Sequence, residues 1–290
     1  MALHPEARRA VENAAGELPV TDPAYDIAAE RERDRAAALA QERPAVAEVR
    51  DVDAGGVPAR LYLPEGYDAV VVHAHGGGFV LNDVEVHDAA VRRFANISRT
   101  AVLSVDYRRP PEHRFPAAPD DVDTVLAWMR TDPLLGSLPA YVHGDSAGGN
   151  LALVAALRNP GRFRGVVLIY PFLDPSASAP SYGQEEASWA AEAAWYWQQY
   201  AAAPADLRDP DLAPLLSDRL DTLPPTLLVS AEGDILVDED ESFAHRLAGL
   251  GVEVVAFRAV GMVHGFWRHG RVFPAAEAVM AMTAGFLAQH

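Results

Sequence analysis

The chain has 290 residues, 50% apolar and 22% charged, the composition of a globular protein long enough to bury a sizeable core. Its net charge of −17 repels phosphate backbones and anionic headgroups, so neither nucleic acid nor a membrane surface is an expected partner. The chain contains no cysteine and no lysine, which excludes a thiol nucleophile, a thiolate metal site, a disulfide, a serine–lysine dyad, a Schiff-base lysine and a P-loop.

Taken in chain order, the first residues carry Glu6, Arg8 and Arg9 without an apolar core, unlike a secretory signal. No apolar run approaches the ~20 residues that span a bilayer, and the expected setting is cytoplasmic. Residues 24–42, rich in Ala, Glu and Arg between Pro23 and Pro44, predict a solvent-facing helix. Residues 46–53 and 57–63 predict two strands with a hairpin signal at Gly55-Gly56. Short runs rich in Val, Ile and Leu then recur at 69–75, 101–106, 140–142, 165–170, 226–230 and 253–257. Helix-like stretches lie between and after them, at 88–98, 120–130, 147–158, 239–249 and 275–288. Strands alternating with helices imply an α/β protein with a parallel sheet covered on both faces. Continuous apolar runs fit strands buried on both sides. Residues 176–216 break the rhythm: Trp189, Trp195, Tyr196, Trp197 and Tyr200 stand among alanines with no strand signal. They read as helices inserted to form a cap over the C-terminal edge of the sheet.

The strongest local signal is Gly144-Asp145-Ser146-Ala147-Gly148-Gly149, a G-x-S-x-G between a short apolar run and a helix-like run. A turn this sharp strains the backbone at Ser146 and leaves no room for side chains at 144 and 148. A second signal, His75-Gly76-Gly77-Gly78-Phe79, directly follows the apolar run at 69–75. It has the form of a loop whose N–H groups receive the anion that forms when a hydroxyl attacks an acyl carbon. The expected donors are Gly77, Gly78 and Ala147.

A serine hydroxyl needs a base, and the partners follow in the order Ser, Asp or Glu, His. His264, in Met262-Val263-His264-Gly265-Phe266 past a late strand, is the candidate among ten histidines; His245 sits in a helix-like run, and His269 lies close to 264 but further from the strand. For the acid, Asp234 follows the strand at 226–230, where ligand chemistry gathers in open sheets, with Asp238 in reserve. His73 and His75 form H-x-H on one strand and admit a zinc reading, but no third ligand is apparent nearby, so no metal is expected.

These motifs resemble the hormone-sensitive lipase family of esterases, together with Gly233-Asp234, Asp238-Glu239, His264-Gly265-Phe266 and the segment Asp106-Tyr107-Arg108, Pro111-Glu112-His113, Phe115-Pro116-Ala117-Ala118. The resemblance covers roughly residues 45–290. It implies an α/β-hydrolase fold with an eight-stranded, mostly parallel sheet flanked by helices. The core would comprise 46–175 and 217–290, and the cap the N-terminal helices of 1–45 with the 176–216 insertion. It also implies carboxylesterase activity on short- to medium-chain esters without a cofactor, and a homodimer is a common assembly in the family. The 106–118 segment reads as a brace for the oxyanion loop. An amide deacetylase uses the same site, because only the leaving group differs, and a non-catalytic ligand receptor on this fold stays open. Phe79, Trp197 and Tyr182 are candidates to line the substrate pocket, as are Phe172, Trp189 and Trp195, although aromatics at helical spacing also serve as core.

Overall fold

Eight strands among the described residues form one sheet: β1 (Glu48–Asp53), β2 (Pro58–Leu63), β3 (Val70–Ala74), β4 (Ala101–Val105), β5 (Ala140–Asp145), β6 (Gly165–Ile169), β7 (Thr226–Gly233) and β8 (Val254–Val263). Their order across the sheet is β1-β2-β4-β3-β5-β6-β7-β8. β2 runs antiparallel to β1 and β4, and every other pair is parallel. The computed structural model describes residues 3–14, 16–183 and 187–290, so residues 184–186 of the expected cap insertion lie outside the described residues.

The helices are α1 (Pro5–Ala14), α2 (Ile27–Leu39), α3 (Val84–Ser98), α4 (Ala117–Met129), α5 (Ala147–Arg158), α6 (Ala187–Tyr200), α7 (Val237–Gly249) and α8 (Pro274–Gln289). Alternation along β3 divides the core. Val70, Val72 and Ala74 face one apolar layer with α4, α5 and α7, while Val71 faces a second layer with α3 and α8. All five residues of β3, β4 and β6 are buried, as continuous apolar runs require. β8 departs from that expectation: it is the outer strand, and Val255 and Val260 are exposed.

Several boundaries differ from the sequence reading for identifiable reasons. α3 begins at Val84 because the Asp83 carboxylate caps it, accepting from the N–H of Val86. β5 continues through His143 and Gly144, which pair with β3 and β6 on either side, to Asp145, which pairs with β6. β8 runs to Val263 because it follows β7 past an irregularity at Ala231/Gly233. The segment expected as an insertion holds α6 and several single 3₁₀ turns, and no strand among its described residues. No helix of the described chain is long and apolar enough to cross a membrane.

Candidate active site

β5 ends at Asp145 and α5 begins at Ala147, which leaves Ser146 alone in the turn at φ 55°, ψ −122°. This is a strained conformation for a residue with a side chain. The surroundings impose it: the Ser146 N–H donates to the Ile169 carbonyl (2.9 Å), and the Ser146 carbonyl accepts from the N–H of Phe172 (3.1 Å). The flanking glycines are steric requirements. A Cβ at Gly144 would stand 2.0 Å from the Gly148 carbonyl oxygen, and one at Gly148 would stand 2.0 Å from that of Ala74.

The structure brings Ser146 and His264 together, although they are far apart in sequence. His264 follows β8 and places Nε2 2.9 Å from Ser146 Oγ. Its Nδ1 lies 2.6 Å from Asp234 Oδ2, just past β7. The other carboxylate oxygen of Asp234 accepts from the N–H of Leu236 (3.0 Å), so both oxygens are committed. Asp238, the reserve acid, does not contact His264; its N–H points to the Ser181 hydroxyl at 3.4 Å. Burial pushes the His264 imidazole down, but the charge and hydrogen bond of Asp234 push it up further. Its pKa therefore sits above the ordinary histidine value. About a third of its side-chain surface remains open to the cavity described below (33%).

The loop after β3 is held one peptide at a time. The Tyr107 hydroxyl donates to the His75 carbonyl (2.7 Å). The Gly76 N–H donates to Asp145 Oδ1 (3.0 Å). The Gly76 carbonyl accepts from Asn82 Nδ2 (3.1 Å) and from His75 Nδ1 (2.9 Å). Gly77 takes a φ of 124°, which suits glycine alone, and Gly78 a left-handed φ of 58°, which favours it. Gly78 is further fixed by α6, since a Cβ there would meet the Tyr196 ring at 2.1 Å. Ala147 is the first residue of α5, so its N–H has no acceptor within the helix. Burial alone would push the Asp145 carboxyl up, yet adjacent His87 and its histidine neighbours hold it below the usual carboxylate range.

These groups open onto a cavity of about 370 Å³ lined by Gly77, Gly78, Ser146, Asp234 and His264 from the core, with Asp34 from α2 and Trp189, Glu192 and Tyr196 from α6. Phe172 and Tyr170 complete its floor. The three principal pocket candidates from the sequence are not among its lining residues. Phe79 is fully buried and stacks on Tyr200 at 3.8 Å. Trp197 packs against Phe172 (4.3 Å) in the hydrophobic core. Tyr182 turns away and donates its hydroxyl to Glu239 Oε2 (2.9 Å), a buried carboxyl pushed up to about 8. Trp195 packs edge-on against Tyr25.

The H-x-H pair does not converge on a point. His73 turns its Nδ1 to Nδ1 of His143 (2.9 Å), whereas His75 stacks on Tyr107 and faces the Gly76 carbonyl. Among the described residues no three His, Asp or Glu side chains gather in a metal-binding arrangement. The sequence reading missed several residues that shape the site. Asp145 stood inside its strongest motif, and Tyr107 lay in the bracing segment. Asn82, His87, Tyr170 and Arg268 carried no local signal.

Comparison with known proteins agrees with this fold. A family model described as alpha/beta hydrolase fold matches residues 71–268. An ethyl acetate hydrolase of Pseudomonas putida is 34% identical over 254 residues, which cover 82% of this chain and 80% of that protein. The carboxylic ester hydrolase LipN of Mycobacterium tuberculosis is 36% identical over 264 residues, covering 83% and 70%. A hyperthermophilic esterase from the archaeon Pyrobaculum calidifontis superposes with a TM-score of 0.90 at 35% identity, covering 98% of this chain and 97% of the other. The chain therefore belongs to the α/β-hydrolase fold family, in the group related to hormone-sensitive lipase.

Proposed function

We propose that this protein is a serine carboxylesterase that hydrolyses short- to medium-chain carboxylic esters through an acyl-enzyme. The observation that carries the reading is the continuous chain of contacts from Asp234 to His264 (2.6 Å) and from His264 to Ser146 (2.9 Å). His264 Nε2 takes the hydroxyl proton as Ser146 Oγ attacks the ester carbonyl carbon. The carbonyl oxygen becomes an anion facing the N–H groups of Gly77, Gly78 and Ala147. The proton then passes from Nε2 to the departing alkoxide, the C–O bond breaks, and the alcohol leaves. Water, deprotonated by the same nitrogen, attacks the acyl-enzyme and releases the carboxylic acid with Ser146 restored. Asp234 keeps the proton of neutral His264 on Nδ1 and stabilises the imidazolium between steps. No step calls for a cofactor.

A cavity of about 370 Å³ supports short to medium acyl chains, since ligand pockets run from roughly 300 to 1,000 Å³. The relative from Pseudomonas putida, named as an ethyl acetate hydrolase, points to the same class. A homodimer rests on the open edge of β8, where Val255 and Val260 are exposed. Sedimentation velocity would separate monomer from dimer. The catalytic reading is tested with p-nitrophenyl esters from acetate to dodecanoate and p-nitroacetanilide, with Ser146→Ala as control. Turnover highest on short or medium esters and abolished in Ser146→Ala is the expected result. Parental turnover in Ser146→Ala would remove the nucleophile assignment, and anilide turnover exceeding that of every ester would make the protein an amide deacetylase.

A further inference from the structure

His87 lies in the second turn of α3, outside the cavity lining, and is fully buried. Its Nε2 stands 3.3 Å from Asp145 Oδ2, and its Nδ1 has no partner. A carboxylate only accepts, so the proton of this contact sits on Nε2. The other oxygen of Asp145 accepts the Gly76 N–H at 3.0 Å. Asp145 is thus gripped on one side by α3 while it grips the glycine loop with the other.

The planarity of the backbone gives this grip a consequence. In a trans peptide the carbonyl and the following N–H point in opposite directions. The His75–Gly76 peptide is held at both ends, by the Tyr107 hydroxyl on its oxygen and by Asp145 on its N–H. The Gly76–Gly77 peptide is held at its oxygen by Asn82 and the His75 ring, which turns the Gly77 N–H the opposite way. Gly76 has no side chain to resist rotation, so its φ is set by these outside contacts alone. If Asp145 releases the Gly76 N–H, the first plane keeps only its Tyr107 contact, and its rotation about that contact loads the Asn82 and His75 contacts that aim the Gly77 N–H. Asp145 borders the cavity, and the contact from His87 opposes rotation of its carboxylate toward that space.

We propose that His87 is a positioning residue for ester hydrolysis: by fixing Asp145 it holds the Gly76 peptide plane, and hence the aim of the Gly77 oxyanion donor. This rests on the oxyanion-hole reading above. His87 touches no reacting atom and acts only on how well the donor is placed before the anion forms.

Two polar substitutions separate this role from packing. In His87→Gln the side-chain amide reaches the position of Nε2 and keeps a donor for Asp145. In His87→Asn the amide stops near Nδ1 and falls short. For His87→Asn the kcat on p-nitrophenyl butyrate should fall about 10- to 100-fold with KM within about twofold. Affinity for a trifluoromethyl ketone, which captures Ser146 as a tetrahedral adduct, should fall by a similar factor. His87→Gln should stay within about threefold of the parent in both. Active-site titration and melting temperature are measured on each variant, with Ser146→Ala in the same assay. His87→Asn at parental kcat, with Ser146→Ala inactive, overturns this inference and leaves the site reading intact. Equal losses in Gln and Asn, or a loss of kcat without a loss of ketone affinity, overturn it in favour of packing. Activity surviving in Ser146→Ala overturns the reading on which it rests.

Discussion

Replacing Asp234 by Asn changes one atom, and the structure determines what that atom does. Asp234 uses Oδ1 to accept the Leu236 N–H and Oδ2 to accept from His264 Nδ1. An amide has one acceptor and one donor end. With its oxygen toward Leu236, its NH2 faces Nδ1 and forces that nitrogen to be an acceptor. The imidazole proton must then move to Nε2, where it points at Ser146 Oγ, and the histidine can no longer take a proton from it. The opposite orientation sets NH2 against the buried Leu236 N–H, two donors without an acceptor, at a cost of about 1–3 kcal/mol. The inactive tautomer is therefore the preferred one, and the negative charge that stabilised the imidazolium is lost as well. The expected fall in kcat is on the order of 10³- to 10⁴-fold, about 4–5.5 kcal/mol of barrier. Initial rates on p-nitrophenyl butyrate, normalised by active-site titration, measure it directly. Asp238→Asn serves as the comparison, because Asp238 does not contact His264, and should stay within about threefold. A loss below tenfold in Asp234→Asn, or a loss in Asp238→Asn that matches it, would refute the assignment of roles.

The pH profile follows from the same contact. With neutral His264 as the proposed base and its pKa raised, activity should be present above that pKa and lost as pH falls through it. The acid limb of kcat/KM should have its midpoint above the ordinary histidine value of about 6.5. A midpoint below 6 would contradict the contribution of Asp234. Away from the site, the buried Asp88 carboxylate accepts from the Tyr62 hydroxyl (2.9 Å), Arg60 Nη1 (3.0 Å) and Arg92 Nε (2.6 Å), which joins α3 to β2. Asp88→Ala strands these donors and should lower stability to urea by about 3–5 kcal/mol while kcat per titrated site changes less than about threefold. A stability change under 1 kcal/mol would show that water replaces the carboxylate there.

The sheet was legible because its central strands are buried on both faces and must be continuously apolar; β3, β4 and β6 obey that rule. β8 escaped it beyond residue 257 because one edge and much of its surface meet solvent, so pairing with β7 rather than composition sets its length. Motifs carried the proposed reacting groups for a related reason. A strained turn and a donor loop permit few residues, and glycine marks both. The pocket wall is different. On α6 the side chains that reach the cavity are Trp189, Glu192, Ala193 and Tyr196, whereas Trp197 and Tyr200 are buried among core residues. The two stripes differ by about one position in helical phase, and alanines on every side leave no polar face to fix that phase from the sequence. Phe79 misled in another way. It directly follows the donor loop, but at φ 65° it turns inward, and its ring stacks on Tyr200. His87 and Asn82 are set by how α3 and its entry loop pack against β5, a relation between distant segments that no local pattern encodes.

The most direct measurement of the central claim is the site of a covalent adduct. A fluorophosphonate is attacked by an activated serine hydroxyl and mimics the tetrahedral intermediate within the donor loop. Intact mass followed by peptide mapping should show one adduct per chain, on Ser146, and neither Ser146→Ala nor the acid-unfolded protein should take up label. Label on another residue, or undiminished labelling of Ser146→Ala, would contradict the account.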